Sequence, residues 1–185
     1  YLCTDATGVL VQHLEKCRRG HFFVVVAPEK HVLFGYSPKH DAAAVDELLE
    51  GFTGKLVADA HVVFNHLYES GDVIECGCWA HARRYLFKAL SSDAVRANHA
   101  LDLIRQLFAL ERAWATAPPE ERLSLRKSQA KPLVDDFFAW CDVEALKVLD
   151  ETPISKAIQY ARNQREALQQ FLTDGRVPID NNASE

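Results

Sequence analysis

The sequence contains no methionine, and its longest obvious apolar run, Phe22 to Ala27, ends after six residues. A membrane-spanning helix needs about 20 apolar residues, so a transmembrane reading is excluded at the outset. No charged, apolar and small-residue succession of a secretory signal opens the chain. Cysteine is scarce and odd in number, with five residues scattered along 185. That count does not make a disulfide framework and suits a reducing compartment. An excess of positive charge is also missing: 21 basic against 26 acidic side chains leave a net charge of −5. Nucleic-acid binding by bulk charge is therefore excluded, while local basic patches are not. No internal repeat or low-complexity tract is present. What remains is a chain that is 48% hydrophobic and 10% aromatic, which is too apolar for disorder. Its length suits one domain, or one domain with an insertion, burying roughly 70% of its unfolded surface.

The first half alternates strand and helix. Leu2 to Thr4 is a short apolar stretch ending at Asp5. His21 to Ala27 and His31 to Tyr36 are β-branched and aromatic runs of strand length, and Glu29-Lys30 would connect them as a hairpin. Between Asp41 and Phe52 the period changes, with Val45, Leu48, Leu49 and Phe52 at helical spacing. Lys55 to Asp59 and Val73 to Cys76 read as strands, and Val62 to Tyr68 and Trp79 to Leu90 as helices. The order β-β-β-α-β-α-β-α predicts an α/β fold with a five-stranded mixed sheet covered by helices.

The second half contains no strand candidate from about Ser91 to Leu172. Apolar faces recur at Ala100, Leu103, Ile104, Leu107, Leu110 and Trp114, and again at Leu133, Val134, Phe137, Phe138 and Cys141. Pro118-Pro119 separates the first from a charged helix, Glu120 to Ser128. Thr152-Pro153 caps and opens a last long helix whose apolar face runs from Ile154 to Leu172. Gly175 stops it, and Asp180 or a following asparagine can cap a further helix. The domain expectation is a core over residues 1–90, an all-helical insertion over 91–150, and a return to the core over 151–185.

Three carboxylates stand out by position. Asp5 and Asp59 end predicted strands, where ligand sites of α/β sheets gather, and Glu185 lies in the first turn of the expected final helix. Carboxylates from two neighbouring strands and a helix can hold a pair of divalent cations about 3.5–4 Å apart, suited to phosphodiester chemistry. Magnesium fits such hard oxygen donors. Taken singly, an Asp at a strand end is more often a turn or cap residue.

The phrases Thr4-Asp5-Ala6-Thr7, Leu56-Val57-Ala58-Asp59-Ala60, Cys78-Trp79-Ala80-His81-Ala82-Arg83-Arg84 and Ile179-Asp180-Asn181-Asn182-Ala183-Ser184-Glu185 follow one another in the chain. Their order and spacing resemble the catalytic domain of insertion sequence 66 transposases over nearly the whole length. The resemblance also takes in Tyr160 to Gln164 and Ala167 to Arg176. It implies a ribonuclease H-like fold, with the all-helical insertion before the last catalytic helix, and a DDE transposase that cleaves DNA strands and joins them to a target. It further implies Asp5, Asp59 and Glu185 as the triad binding two Mg²⁺ or Mn²⁺ ions. Element ends and target DNA would be the partners, in a bacterial cytoplasm beside the nucleoid, with a homo-oligomer when full length. A stand-alone nuclease on the same fold and a catalytically silent, DNA-binding relic are the competing readings.

Two positions depart from the family pattern. Position 6 is Ala where Glu is usual, and position 61 is His where Tyr is usual. The family's proteins continue beyond the final Glu and carry DNA-binding segments upstream, so the chain reads as a fragment. Cys78-Trp79-Ala80-His81 resembles the Cys-x-x-His element that many DDE transposases place after the second Asp. That gives His81 a role near the active site, against a plain helix-start histidine. Zinc held by Cys76, Cys78 and His81 would lack a fourth ligand. Arg83 and Arg84, and more so Arg162, Arg165 and Arg176, are the candidates for DNA-backbone contacts. Arg122, Arg126, Lys127 and Lys131 read as a charged face of the helical insertion. Trp79, Trp114 and Trp140 read as core.

Overall fold

A computed structural model describes residues 1–28 and 30–184, with the backbone alone at His13. Glu29 of the expected hairpin connection and Glu185 of the expected triad lie outside the described residues. The chain falls into two compact units, Tyr1–Cys76 with the segment beginning at Asp180, and Gly77–Ile179.

The sheet unit is built on β1 (Leu2–His13), β2 (Lys16–Ala27), β3 (His31–Ser37), β4 (Gly54–Ala58) and β5 (Val73–Gly77). Their order across the sheet is β3-β2-β1-β4-β5. β1 pairs antiparallel with β2 and parallel with β4, and β2 pairs antiparallel with β3. This is an α/β fold with a five-stranded mixed sheet flanked by helices, consistent with the ribonuclease H-like expectation. Phe23, Val25, Leu56 and Ala58 project from the sheet into a core completed by Val45 and Leu49 of the segment α1 (Ala42–Leu48) and its cap. Val63 and Phe64, on a 3₁₀ turn (Val62–Phe64) that leads into α2 (Asn65–Tyr68), close the same core.

The first strand is the main departure from expectation. Asp5 does not end it; β1 runs on to His13 because residues 6–13 find antiparallel partners in β2, from Ala6↔Phe23 out to His13↔Lys16. Ala6-Thr7-Gly8-Val9 carries no clear alternation, so pairing rather than local propensity extends the strand. The hairpin turns through Leu14-Glu15, and Leu14 adopts φ 50°, a left-handed conformation that suits glycine better than leucine.

The helical unit contains α3 (Trp79–Ala89), α4 (Ala94–Ala113), α5 (Pro119–Leu125), α6 (Lys131–Ala145), α7 (Pro153–Asn163) and α8 (Arg165–Gln169). A π-helical segment (Arg126–Ala130) joins α5 to α6 without a break. The expected last helix divides at Gln164, and a 3₁₀ turn (Gln170–Thr173) follows α8. Its start is as read: Thr152 Oγ1 accepts the Ser155 amide at 3.2 Å, with Pro153 at the first helical position. Trp79 is the hub, fully buried, with its indole N–H donating to the Leu168 carbonyl at 2.9 Å and Phe137 edge-on at 5.2 Å. Alanines 97 and 100 on α4 and 157 and 161 on α7 are buried, and both helices pack on α3 and α6. Gly175 is required, since a Cβ would fall on the Pro119 carbonyl. Among the described residues no helix is long and apolar enough to cross a membrane.

Candidate active site

In β1, side chains alternate between the two faces of the sheet. Thr4 and Ala6 lie on the face of their partners Val25 and Phe23, and Ala6 packs against the core. Asp5, paired with Val24, lies on the opposite face and is half-buried. Its Oδ1 accepts the Ala6 amide at 2.9 Å. The parallel register with β4 joins Leu2 to Leu56 and Cys3 to Val57. Continued in step, it carries Asp5 to Asp59, the residue that follows the last of β4. Neighbouring strands lie about 4.8 Å apart, so a ladder continued past Cys3↔Val57 would run the two backbones side by side there.

Beyond Asp59 the chain turns sharply. The His61 amide donates to the Asp59 carbonyl at 2.7 Å, and His61 Nδ1 accepts the Val63 amide at 3.3 Å. The His61 ring lies 4.1 Å from His40, which stacks on His21 at 4.7 Å. Burial, and then the neighbouring His61 and His21, lower the His40 pKa, which Asp59 and Asp41 oppose. Nothing in the sequence pattern announces this histidine stack, since its members come from β2, the α1 approach and the turn after β4. Tyr68 is pushed up by burial and then by Glu75, Cys76 and Asp59. Burial likewise pushes the Cys76 thiol up to about 12, so both stay protonated.

The segment from Asp180 returns to this place. Asn181 is fully buried, and its Nδ2 donates to the Thr4 carbonyl at 3.0 Å, next to Asp5. Asp180 Oδ1 accepts the Asn182 amide at 3.2 Å and Ser184 Oγ donates to the Asn181 carbonyl at 2.7 Å, closing a 3₁₀ turn (Asn182–Ser184). Asp180 thus makes a turn into this short segment, and Asn181 anchors it. A cleft of about 490 Å³ is lined by Asp5, Thr7, Val24, Phe34, Ala183 and Ser184. Asp5, Asp59 and the segment that leads to residue 185 thus belong to one unit. Among the described residues, no three His, Cys, Asp or Glu side chains gather to hold a metal.

The other candidate residues lie on the helical unit. His81, on the first turn of α3, has its Nε2 3.1 Å from Arg84 Nη1, while its buried Nδ1 meets no partner among the described residues. Arg83 and Arg84 are exposed. Arg162 and Arg165 converge on Asp142 at 3.1 and 2.6 Å, and Arg165 also lies over the Phe138 ring. Arg176 pairs with Asp174 at 2.7 Å. Arg126 corrects the reading of a solvated face. It is fully buried, with its guanidinium bound to both Glu111 oxygens at 2.7 Å and to the Phe171 and Asp174 carbonyls at 2.8 Å. Arg122 caps the carbonyls of Trp114 and Ala115. Trp79 and Trp114 are buried as expected, whereas Trp140 is half-buried against His99.

The sequence model of the Transposase IS66 family matches residues 1–185. The chain belongs to the IS66 transposase family. Three proteins of Sinorhizobium fredii (strain NBRC 101917 / NGR234) are similar to it. Uncharacterized protein y4qI is 31% identical over 83% of this chain and 30% of its own length. Uncharacterized protein y4hP is 27% identical over 98% of this chain and 37% of its own length. Uncharacterized protein y4jD is 22% identical over 81% and 31%. The IS66-family chain thus spans about a third of the curated relatives it matches. No solved structure matches it.

Proposed function

We propose that this chain is the catalytic domain of a DDE-type DNA transposase, with Asp5, Asp59 and Glu185 as its acidic triad. The observation that supports the reading is the β1–β4 register, Leu2↔Leu56 and Cys3↔Val57, which continued in step would put Asp5 beside Asp59, with Asn181 bonded to the Thr4 carbonyl next to Asp5. The donors are carboxylate oxygens, the chemistry that Mg²⁺ and Mn²⁺ prefer, so these residues suit a divalent-cation site. Bound cations would supply neutralisation of charge at a scissile phosphate. The chain's own residues have the rest of the work. Asp5 and Asp59, fixed by neighbouring strands, would hold and orient the cations. Asn181 would set the position from which Glu185 completes the triad. His81 is a further catalytic candidate, and Arg83, Arg84, Arg162, Arg165 and Arg176 would contact the DNA backbone. An exposed ion pair contributes little, so Arg162 can exchange Asp142 for phosphate at small cost.

In the reaction, water attacks phosphorus at the element end, and the bond to the 3′ oxygen breaks to leave a 3′ hydroxyl and a 5′ phosphate. That hydroxyl then attacks a target phosphodiester and displaces its 3′ oxygen. The substrates are element-end and target DNA, within a bacterial cytoplasm and in a homo-oligomer of the longer protein. The test is strand cleavage and joining by the longer protein with Mg²⁺ or Mn²⁺. Asp59→Asn and Glu185→Gln should each abolish both steps while leaving the fold intact. Undiminished cleavage by either variant removes that residue from the mechanism. Cleavage without joining supports a nuclease, and DNA binding without cleavage by the unmodified protein supports a silent relic marked by Ala6 and His61.

A further inference from the structure

The β1–β2 hairpin outruns the sheet that carries it. Pairing with β4 stops at Cys3↔Val57, and pairing with β3 reaches no farther than His21↔Ser37. From Val9↔Gly20 to His13↔Lys16 the two strands pair only with each other. An isolated two-stranded ribbon is marginal in water, so one that projects this far is a candidate for a bound partner. Its chemistry says which kind. In a chain of net charge −5, the ribbon carries Lys16, Arg18 and Arg19 against the single carboxylate Glu15. All three cations are exposed, and none has an ion-pair partner among the described residues.

The register then gives direction. Paired residues of an antiparallel ladder share a face, and faces alternate along each strand. Asp5↔Val24, Thr7↔Phe22, Val9↔Gly20 and Val11↔Arg18 therefore occupy one face, and Lys16, two residues before Arg18, shares it. Tyr36 lies over Gly20 on that face, where a Cβ would meet its ring. Arg18 and Lys16 thus continue the face on which Asp5 stands. At about 3.4 Å per residue they pair with positions roughly 20 and 27 Å along β1 from Asp5. At about 3.4 Å per base pair, that is roughly six to eight base pairs of duplex. Phe22, Val32, Phe34 and Tyr36 lie exposed on the sheet nearer Asp5, whereas along the ribbon itself the exposed apolar residues are split between faces. Leu10, 75% exposed, lies on the opposite face with Arg19, Val11 on the Asp5 face, and Leu14, 86% exposed, at the tip.

We infer that this ribbon is a DNA arm: Lys16 and Arg18 bind backbone phosphates of the duplex some six to eight base pairs from the phosphodiester at Asp5. The inference rests on the transposase reading and adds to it a second contact outside the acidic site. Phosphate contacts of this kind fix register without reading sequence, so a duplex of mixed sequence is a sufficient probe.

The experiment measures binding of the 185-residue chain to a labelled 30-base-pair duplex by fluorescence anisotropy across a series of NaCl concentrations. Each phosphate neutralised contributes about 0.9 to the slope of log K against log salt. Lys16→Gln/Arg18→Gln should lower that slope by about 1.8 and weaken binding at least tenfold at low salt. Arg105→Gln, an exposed cation change on the helical unit, should leave both unchanged. An unaltered slope in the ribbon variant overturns the inference. So does a wild-type dimer, seen by sedimentation, that Leu14→Asp dissociates while the slope stays the same, since the ribbon would then bind a second copy. Failure of the catalytic reading shows elsewhere, as metal-dependent cleavage that survives Asp59→Asn, and leaves the slope test untouched.

Discussion

The two units use charge in opposite ways. In the helical unit, carboxylates and guanidiniums are mostly paired with one another: Arg96 with Asp93 and Glu144, Arg126 with Glu111, Arg162 and Arg165 with Asp142, Arg176 with Asp174. In the sheet unit His66 pairs with Asp46, while Lys16, Arg18 and Arg19 lie exposed on the ribbon. Charge that is already paired holds a fold together, and charge left to solvent or to a cleft is what a ligand can use. Paired charge braces the helical unit, and the exposed cations of the ribbon are the ones we propose for DNA.

The largest effects should come from the helical interior. Phe137→Ala removes a buried ring packed on Trp79 and should cost about 3–5 kcal/mol in urea unfolding. An unchanged midpoint would show that the α6 face is not core. Glu111→Leu leaves the buried Arg126 guanidinium without its counter-ion and should cost a similar ~3–5 kcal/mol. Adding Arg126→Met should recover much of the loss; if the double variant is no better than the single one, the pair is not the cause.

A smaller effect belongs to the joint between fold and site. Asn181→Ala deletes the bond to the buried Thr4 carbonyl and should cost about 1–3 kcal/mol. Because Asn181 precedes Glu185, the same change should weaken metal binding, whereas a purely structural role would lower the midpoint and leave metal affinity alone.

The smallest effect separates the units by pH. Hydrogen bonds from Arg165 lower the Asp142 pKa, those from Arg96 lower Asp93, and those from Lys147 and then Arg96 lower Glu144. A carboxylate depressed in the folded state stabilises above its unfolded value and loses that contribution as pH falls through the folded one. Acid should therefore loosen the helical unit from about pH 4 downward, modestly, since these groups are partly exposed and screened. Trp79, Trp114 and Trp140 all lie in that unit, so tryptophan fluorescence reports it alone. A fluorescence transition that does not respond to Asp142→Asn would break the link between these pairs and acid stability.

Much of this was legible in the residues, and the misses have physical causes. The β-branched run Val24–Val26 and the apolar run Leu56–Ala58 announce strands buried in the sheet. The outer half of the hairpin was illegible, since Gly8, Gln12, Lys16 and Arg18 have no alternation and become strand only by pairing with each other. Arg126 was misread because a charged helix segment looks solvated from sequence, and only the fold reveals that Glu111 and two carbonyls enclose it. Asp5 and Asp59 are singled out by their motifs, and the parallel register of Leu2↔Leu56 and Cys3↔Val57 carries the same offset of 54 residues. The histidine stack and the anchoring role of Asn181 arise from tertiary contacts that no local pattern encodes.

The central claim is that Asp5 and Asp59, with Glu185, form a divalent-cation site, and calorimetric melting of this chain with and without Mn²⁺ tests it most directly. A ligand that binds only the folded state stabilises it, by about 2.7 kcal/mol at a hundredfold excess over Kd. The account predicts a midpoint that rises with Mn²⁺, rises less with Mg²⁺ at equal concentration, and does not move for Asp59→Asn. An unmoved wild-type midpoint, or an equal rise in Asp59→Asn, would contradict it.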